Sequence, residues 1–87
     1  MTINELIKII DNEFERFNLE RYIASRALIP SNKLFIYRIR FLINIDNLAE
    51  ETRANITKAI NNIKLQLPSF HYFYYEDGIV FLKEFND

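Results

Sequence analysis

Apolar side chains fall at Ile3, Leu6, Ile7, Ile10, Phe14 and Phe17, with Asn4, Lys8, Asp11, Glu15 and Asn18 between them. Steps of three, four and seven place the first set along one stripe of a helix. Thr2 and Glu5 have the spacing of a capping box, in which each side chain satisfies a backbone N–H of the first turn. The pattern predicts a helix over residues 2–17. A second stripe, Leu48, Thr52, Ile56, Ile60, Ile63 and Leu67, predicts another helix over 46–67. Asn47 and Glu50 repeat the capping-box spacing there, and Pro68 ends the helix because the residue before a proline is driven out of helical conformation.

Between the helices the period changes to two. In KLFIYRIRFLINI (residues 33–45), Phe35, Tyr37, Ile39, Phe41, Ile43 and Ile45 alternate with Leu34, Ile36, Arg38, Arg40, Leu42 and Asn44. Successive side chains of a strand point to opposite faces, so the first set is the core face and the second, with its two arginines, the outer face. Residues 19–29 are ambiguous. Leu19, Tyr22, Ile23 and Ala27 suit a short helix capped by Asn18. Tyr22, Ile23, Leu28 and Ile29 suit a strand that turns at Pro30, where proline presets the backbone angle and Asn32 accepts a left-handed one. The strand reading is preferred.

Residues 69–85, SFHYFYYEDGIVFLKEF, hold four of the eight Phe, three of the five Tyr and the only Gly. Asp77-Gly78 between two apolar runs signals a two-residue hairpin turn. That turn sets Tyr75 opposite Val80, Phe73 opposite Leu82 and His71 opposite Glu84 on one face. Phe70, Tyr72, Tyr74, Ile79, Phe81, Lys83 and Phe85 share the other. Neither face is polar, so one layer of rings packs under the helices and a second is left for something else.

The expected fold is α+β: a small single domain over residues 1–87. Two helices cover one face of a three- to four-stranded antiparallel sheet, in the order αββαββ, or ααβαββ if 19–29 is helical. The expected core is Leu6, Ile7, Ile10, Phe14, Ile39, Phe41, Ile43, Ile56, Ile60, Ile63, Phe73 and Leu82.

Composition sharpens the expectation of an interface. A chain of 87 residues buries only about 60–65% of the surface its unfolded form exposes. Yet 49% of the residues are hydrophobic and 15% aromatic. Apolar side chains must therefore remain outside, and a contiguous exposed apolar patch marks an interaction site. With no Cys there is neither a disulfide nor a Cys-based zinc site, a composition that fits a reducing compartment. No run of about 20 apolar residues suggests a membrane span. The N-terminal segment lacks the basic and small-residue marks of a signal peptide, so a cytoplasmic location is expected, that of the host if the protein is viral.

The net charge of −1 disfavours a general nucleic-acid binder. The charge is uneven, though: residues 20–64 carry eight basic against four acidic groups, and both ends are acidic. A local positive surface is compatible with that pattern.

Catalytic chemistry finds little support. The single His, His71, lies opposite Glu84 in the expected hairpin, and a cross-strand polar pair explains it without proton transfer. Ser25, Ser31 and Ser69 belong to no nucleophile motif. Glu50–Glu51 and Glu76–Asp77 suit a helix first turn and a hairpin turn. One Gly excludes a glycine-rich phosphate loop. The expectation is a protein that is not an enzyme, with no metal and no cofactor.

The surface constellation is more specific. Arg38 and Arg40 alternate on the outer face of the long strand and are expected beside the ring layer of Tyr72, Tyr74, Phe81 and Lys83. Three readings compete for these six residues. One is solvated arginine over half-buried tyrosine. A second is a protein-binding face, where Tyr and Arg dominate because they combine area, planar stacking and hydrogen bonding. The third is a platform for single-stranded bases. An acidic flank of the first helix (Glu5, Asp11, Glu13, Glu15, with Glu20 beyond it) is a further candidate surface, interrupted by Lys8 and Arg16.

Tiny, rich in Ile, Asn, Lys and Tyr, nearly free of Gly and without a catalytic motif, the chain resembles in size and composition the small accessory proteins of phages and mobile elements, including anti-CRISPR and immunity-type inhibitors. That resemblance implies a stoichiometric inhibitor that occludes a larger partner such as a nuclease. The alternatives are a module for single-stranded nucleic acid and a structural homodimer in which the exposed hairpin pairs with its own copy.

Overall fold

The computed structural model describes residues 1–84. Helix α1 spans Ile3–Arg16, strand β1 Ile23–Leu28, strand β2 Leu34–Phe41, helix α2 Glu50–Gln66, strand β3 His71–Tyr75 and strand β4 Gly78–Glu84. The order is αββαββ. All neighbouring strands are antiparallel, in the spatial order β1-β2-β4-β3. β4 thus lies between β2 and β3, which are parallel to each other and joined through α2, a split β-α-β unit. Both helices pack on one face of the sheet.

Residues 19–29 resolve in favour of the strand. A single 3-10 turn at Glu20–Tyr22 precedes β1. Asn18 enters that turn with a left-handed φ of 59°, which a short polar side chain tolerates. The capping box at Thr2 and Glu5 is formed from both directions, at 3.1 and 3.2 Å. The second expected box is not. Asn44 instead caps a 3-10 turn over Ile45–Asn47 by accepting from the Asp46 N–H at 2.9 Å. Helix α2 then starts from Ala49 without a side-chain cap, and Glu50 and Glu51 complement the dipole in its first turn. The strand expected over 33–45 ends at Phe41, where the chain bends into that turn.

The core lies between sheet and helices. Leu6, Ile10 and Phe14 from α1 and Ile56, Ile60 and Ile63 from α2 meet Phe35, Tyr37, Ile39 and Phe41 from β2. Ile79 and Phe81 from β4 and Phe70 complete it. Phe14 meets Phe81 edge-on at 6.2 Å, and Phe70 bridges Phe35 and Phe81 at 5.8 and 5.9 Å. Three expected core residues lie elsewhere. Ile43 follows the end of β2 and is exposed, Phe73 is exposed on the opposite sheet face, and Leu82 shares that face, half-buried.

Glu13, on α1, is buried between the helices, where it accepts from Asn62 Nδ2 at 3.1 Å and Gln66 Nε2 at 3.3 Å. Asp11 accepts from Arg26 Nε at 3.2 Å and from the Tyr37 hydroxyl at 2.9 Å, and Glu20 closes on the same guanidinium. These contacts disperse the expected acidic flank. Asp11, Glu13 and Glu20 are occupied within the fold, holding α1 to α2, to β1 and to β2.

Candidate interaction face

The hairpin turn lies at Glu76-Asp77 rather than Asp77-Gly78. Tyr75 pairs with Gly78, Tyr74 with Ile79, Phe73 with Val80, Tyr72 with Phe81 and His71 with Leu82. The glycine serves a close approach and not the turn: a Cβ on Gly78 would lie 2.2 Å from the Ile39 carbonyl oxygen of the adjacent strand. Glu76 takes the left-handed angle, with φ 53°. The register differs from the expected one by two, an even number, so each hairpin residue keeps its expected face-mates. His71 no longer faces Glu84, which pairs with Leu34 on β2. Phe85 lies outside the described residues.

The pairing of β4 with β2 decides which hairpin face joins the arginines. Arg38 pairs with Val80 and Arg40 with Gly78, whereas Tyr37 pairs with Phe81 and Phe35 with Lys83. Directly paired side chains lie on the same face. The uncovered face therefore carries a row of Ala27, Arg38, Val80 and Phe73, and beside it a row of Ser25, Arg40, Gly78 and Tyr75. Ile36, Leu82 and His71 form a third row.

The six residues expected to act together are thus split. Arg38 and Arg40 lie on the uncovered face. Tyr72, Tyr74, Phe81 and Lys83 lie on the face that meets the helices. Phe81 is only 1% exposed and belongs to the core. Tyr72 and Tyr74 reach the sheet edge beyond α2, stacked edge-on at 6.0 Å, with Lys64 Nζ 5.8 Å from the Tyr72 ring. Burial against the protein, with a smaller contribution from Tyr72, raises the Tyr74 hydroxyl above its ordinary pKa. Lys83 donates to Ser69 Oγ at 2.9 Å.

In their place, Phe73 and Tyr75 stand with the arginines, their rings edge-on at 6.5 Å. Both are about half exposed, at 44% and 52%, in spite of the apolar surface they carry. Val80 is buried beneath this layer. Arg38 Nε is screened from solvent and has no hydrogen-bond partner among the described residues. A desolvated donor without an acceptor costs about 1–3 kcal/mol. The signal for Phe73 and Tyr75 was present in the chain. Pairing Phe81 with Tyr37 puts Phe73 and Tyr75 on the side of the arginines.

Among the described residues no group of three or more His, Asp or Glu side chains is placed to hold a metal ion, and no helix is long and apolar enough to cross a membrane. Comparison with protein-family models, with curated proteins and with solved structures gives no significant match to this chain.

Proposed function

We propose that this chain is a non-enzymatic protein-binding module whose uncovered sheet face occludes a larger macromolecular partner. One observation carries the reading: Arg38 and Arg40 share that face with Phe73 and Tyr75, over an apolar floor of Ile36, Val80 and Leu82. Aromatic residues and arginine are enriched where proteins bind one another, and lysine and acids are depleted. The three central rows of this face contain no lysine and no acid. The rings contribute area with little entropy to lose, and the planar guanidinium stacks and hydrogen-bonds at once.

The resemblance in size and composition to inhibitors of phages and mobile elements makes a nuclease, or another nucleic-acid-processing complex, the partner to test first, in a cytoplasmic setting. The experiment is capture on immobilised protein, with and without nuclease treatment, comparing wild type with Arg38→Glu and Phe73→Ala. A protein retained after nuclease by wild type, and lost by both variants, supports the reading. Retention that ignores both substitutions removes it.

A second reading uses the same face. His71, Phe73 and Tyr75 are spaced two apart along β3, a ring on every side-chain position of that side, on the same face as two arginines across β4. Single strands stack on such rings while cations contact phosphate. This reading requires binding of an oligonucleotide that weakens steeply with salt. Salt-insensitive binding, or none at low salt, excludes it.

A further inference from the structure

The two edges of the sheet are unlike. β1 carries a charged Arg26 and a register irregularity between Ile23 and Ser25, two features that discourage another strand from pairing. β3 has neither. It is five residues long, in unbroken register with β4, without Pro, Lys, Arg, Asp or Glu, and every residue in it is exposed. Four of the five side chains are Phe or Tyr. A flat, ring-covered edge of this kind is a template for a further strand.

Hydrogen-bond parity shows what the edge offers. The Phe41 N–H donates to the Asp77 carbonyl at 2.8 Å. Backbone groups alternate in direction along a strand, so Ile79, Phe81 and Lys83 also turn theirs to β2. Gly78, Val80 and Leu82 then turn theirs to β3, onto Tyr75, Phe73 and His71. Tyr72 and Tyr74 are left with N–H and C=O directed outward.

We propose that β3 pairs antiparallel with β3 of a second copy, centred on Phe73, so that two sheets join into one. The two-fold sets Phe73 opposite Phe73 and each Tyr72 opposite the other copy's Tyr74, whose outward N–H and C=O groups meet. The Tyr72-Phe73-Tyr74 sequence is its own reverse, so the same rings face each other on both strands. Charge favours this direction and this occupant. Lys64, over Tyr72, and Lys83, bonded to Ser69, flank the start of β3 with one acid, Glu84. Glu76 and Asp77 follow its end, and Asp46 and Glu76 lie around Tyr74 with one base, Arg53. Antiparallel self-pairing sets the basic end of each copy against the acidic end of the other. Parallel self-pairing sets like against like. Tyr72 and Tyr74 are 37% and 51% exposed, so α2 does not overhang the edge and block the approach. The two uncovered faces then lie on the same side of the joined sheet, with the Phe73 pair at its centre and two arginines to either side. This pairing does not rest on the partner proposed above.

The chain has no Cys, which allows a direct test. In an antiparallel pair without hydrogen bonds the Cα atoms lie about 4.5 Å apart, within disulfide reach. Phe73→Cys is therefore expected to cross-link between copies under mild oxidation, much faster than Leu65→Cys, whose side chain lies exposed on α2. In unmodified protein the mass should rise with concentration from 10.5 kDa towards twice that value. Tyr74→Pro removes an outward N–H and no bond to β4, so it should hold the protein monomeric with its circular dichroism unchanged. Cross-linking of Phe73→Cys no faster than that of Leu65→Cys, or a mass that stays monomeric up to millimolar concentration, overturns the pairing. No partner is present in these measurements, so their failure leaves the open-face reading to its own test.

Discussion

The Tyr37 hydroxyl donates to Asp11 Oδ1 at 2.9 Å, tying a central strand to the first helix beneath 3% exposure. Burial first, then the bond to Asp11 and its charge, push the Tyr37 phenol well above its ordinary value of 10.0. Below that value the phenol is protonated in both folded and unfolded chains, so it adds no slope. Above it the unfolded chain loses the proton and the folded chain keeps it, so stability falls as pH rises. Denaturant melts should show this alkaline loss in wild type and a shallower one in Tyr37→Phe. At neutral pH the variant should be about 1 kcal/mol less stable, the value of one hydrogen bond. Identical alkaline slopes would contradict the assignment.

Glu13 is the hinge between the helices. Removing its carboxylate takes the acceptor from half-buried Asn62, while exposed Gln66 keeps its bond to the Asn62 carbonyl. Glu13→Ala should cost about 1 kcal/mol in chemical denaturation, the net value of a hydrogen bond to a half-buried donor. Glu13→Gln, which keeps one acceptor, should fall between it and wild type. An unchanged midpoint for Glu13→Ala would show that the clasp contributes nothing.

Gly78 is held by proximity to β2. Because an added Cβ meets a backbone oxygen that has little freedom to move, Gly78→Ala should destabilise by about 1–3 kcal/mol, the range for overpacked interiors. A thermal melt equal to wild type would contradict a close contact between Gly78 and β2.

Phe81 and Tyr74 separate the core from the edge on one sheet face. Phe81→Ala should cost about 4 kcal/mol, as for other buried rings, and unfold a large part of the population. Tyr74→Ala, at an exposed edge position, should change the melting temperature little at concentrations that keep the protein monomeric. Comparable losses would mean that Phe81 is not the core residue its contacts with Phe14 and Phe70 make it.

Much of this was legible in the chain, and the failures share a cause. Periodicity identified both helices, because the stripe from Leu6 to Phe14 is apolar on one side only. It also separated the two faces of β2, where Arg38 and Arg40 alternate with Phe35, Tyr37, Ile39 and Phe41. The hairpin carries no such contrast: Phe73, Val80 and Leu82 are as apolar as Tyr72, Ile79 and Phe81. Local pattern therefore assigned residues to faces and left open which face the helices would cover. That choice is made by packing, through the pairing of Tyr37 with Phe81 and Arg38 with Val80. Gly78 and Asn47 were misleading for a related reason. Each is a residue type with a well-known local role, and tertiary contact at Gly78 and the Asn44-capped turn that contains Asn47 override it.

The claim that Arg38, Arg40, Phe73 and Tyr75 form the functional face is tested most directly by affinity for the captured partner, measured by titration calorimetry on four chains. Wild type is compared with Arg40→Glu and Tyr75→Ala on the uncovered face and with Lys8→Glu on the exposed side of α1. Each substitution on the face is expected to weaken binding roughly tenfold or more, as at other interface anchors, and Lys8→Glu to leave it unchanged. Loss of binding in Lys8→Glu with Arg40→Glu and Tyr75→Ala at wild-type affinity would contradict the account and move the interface to the helical layer.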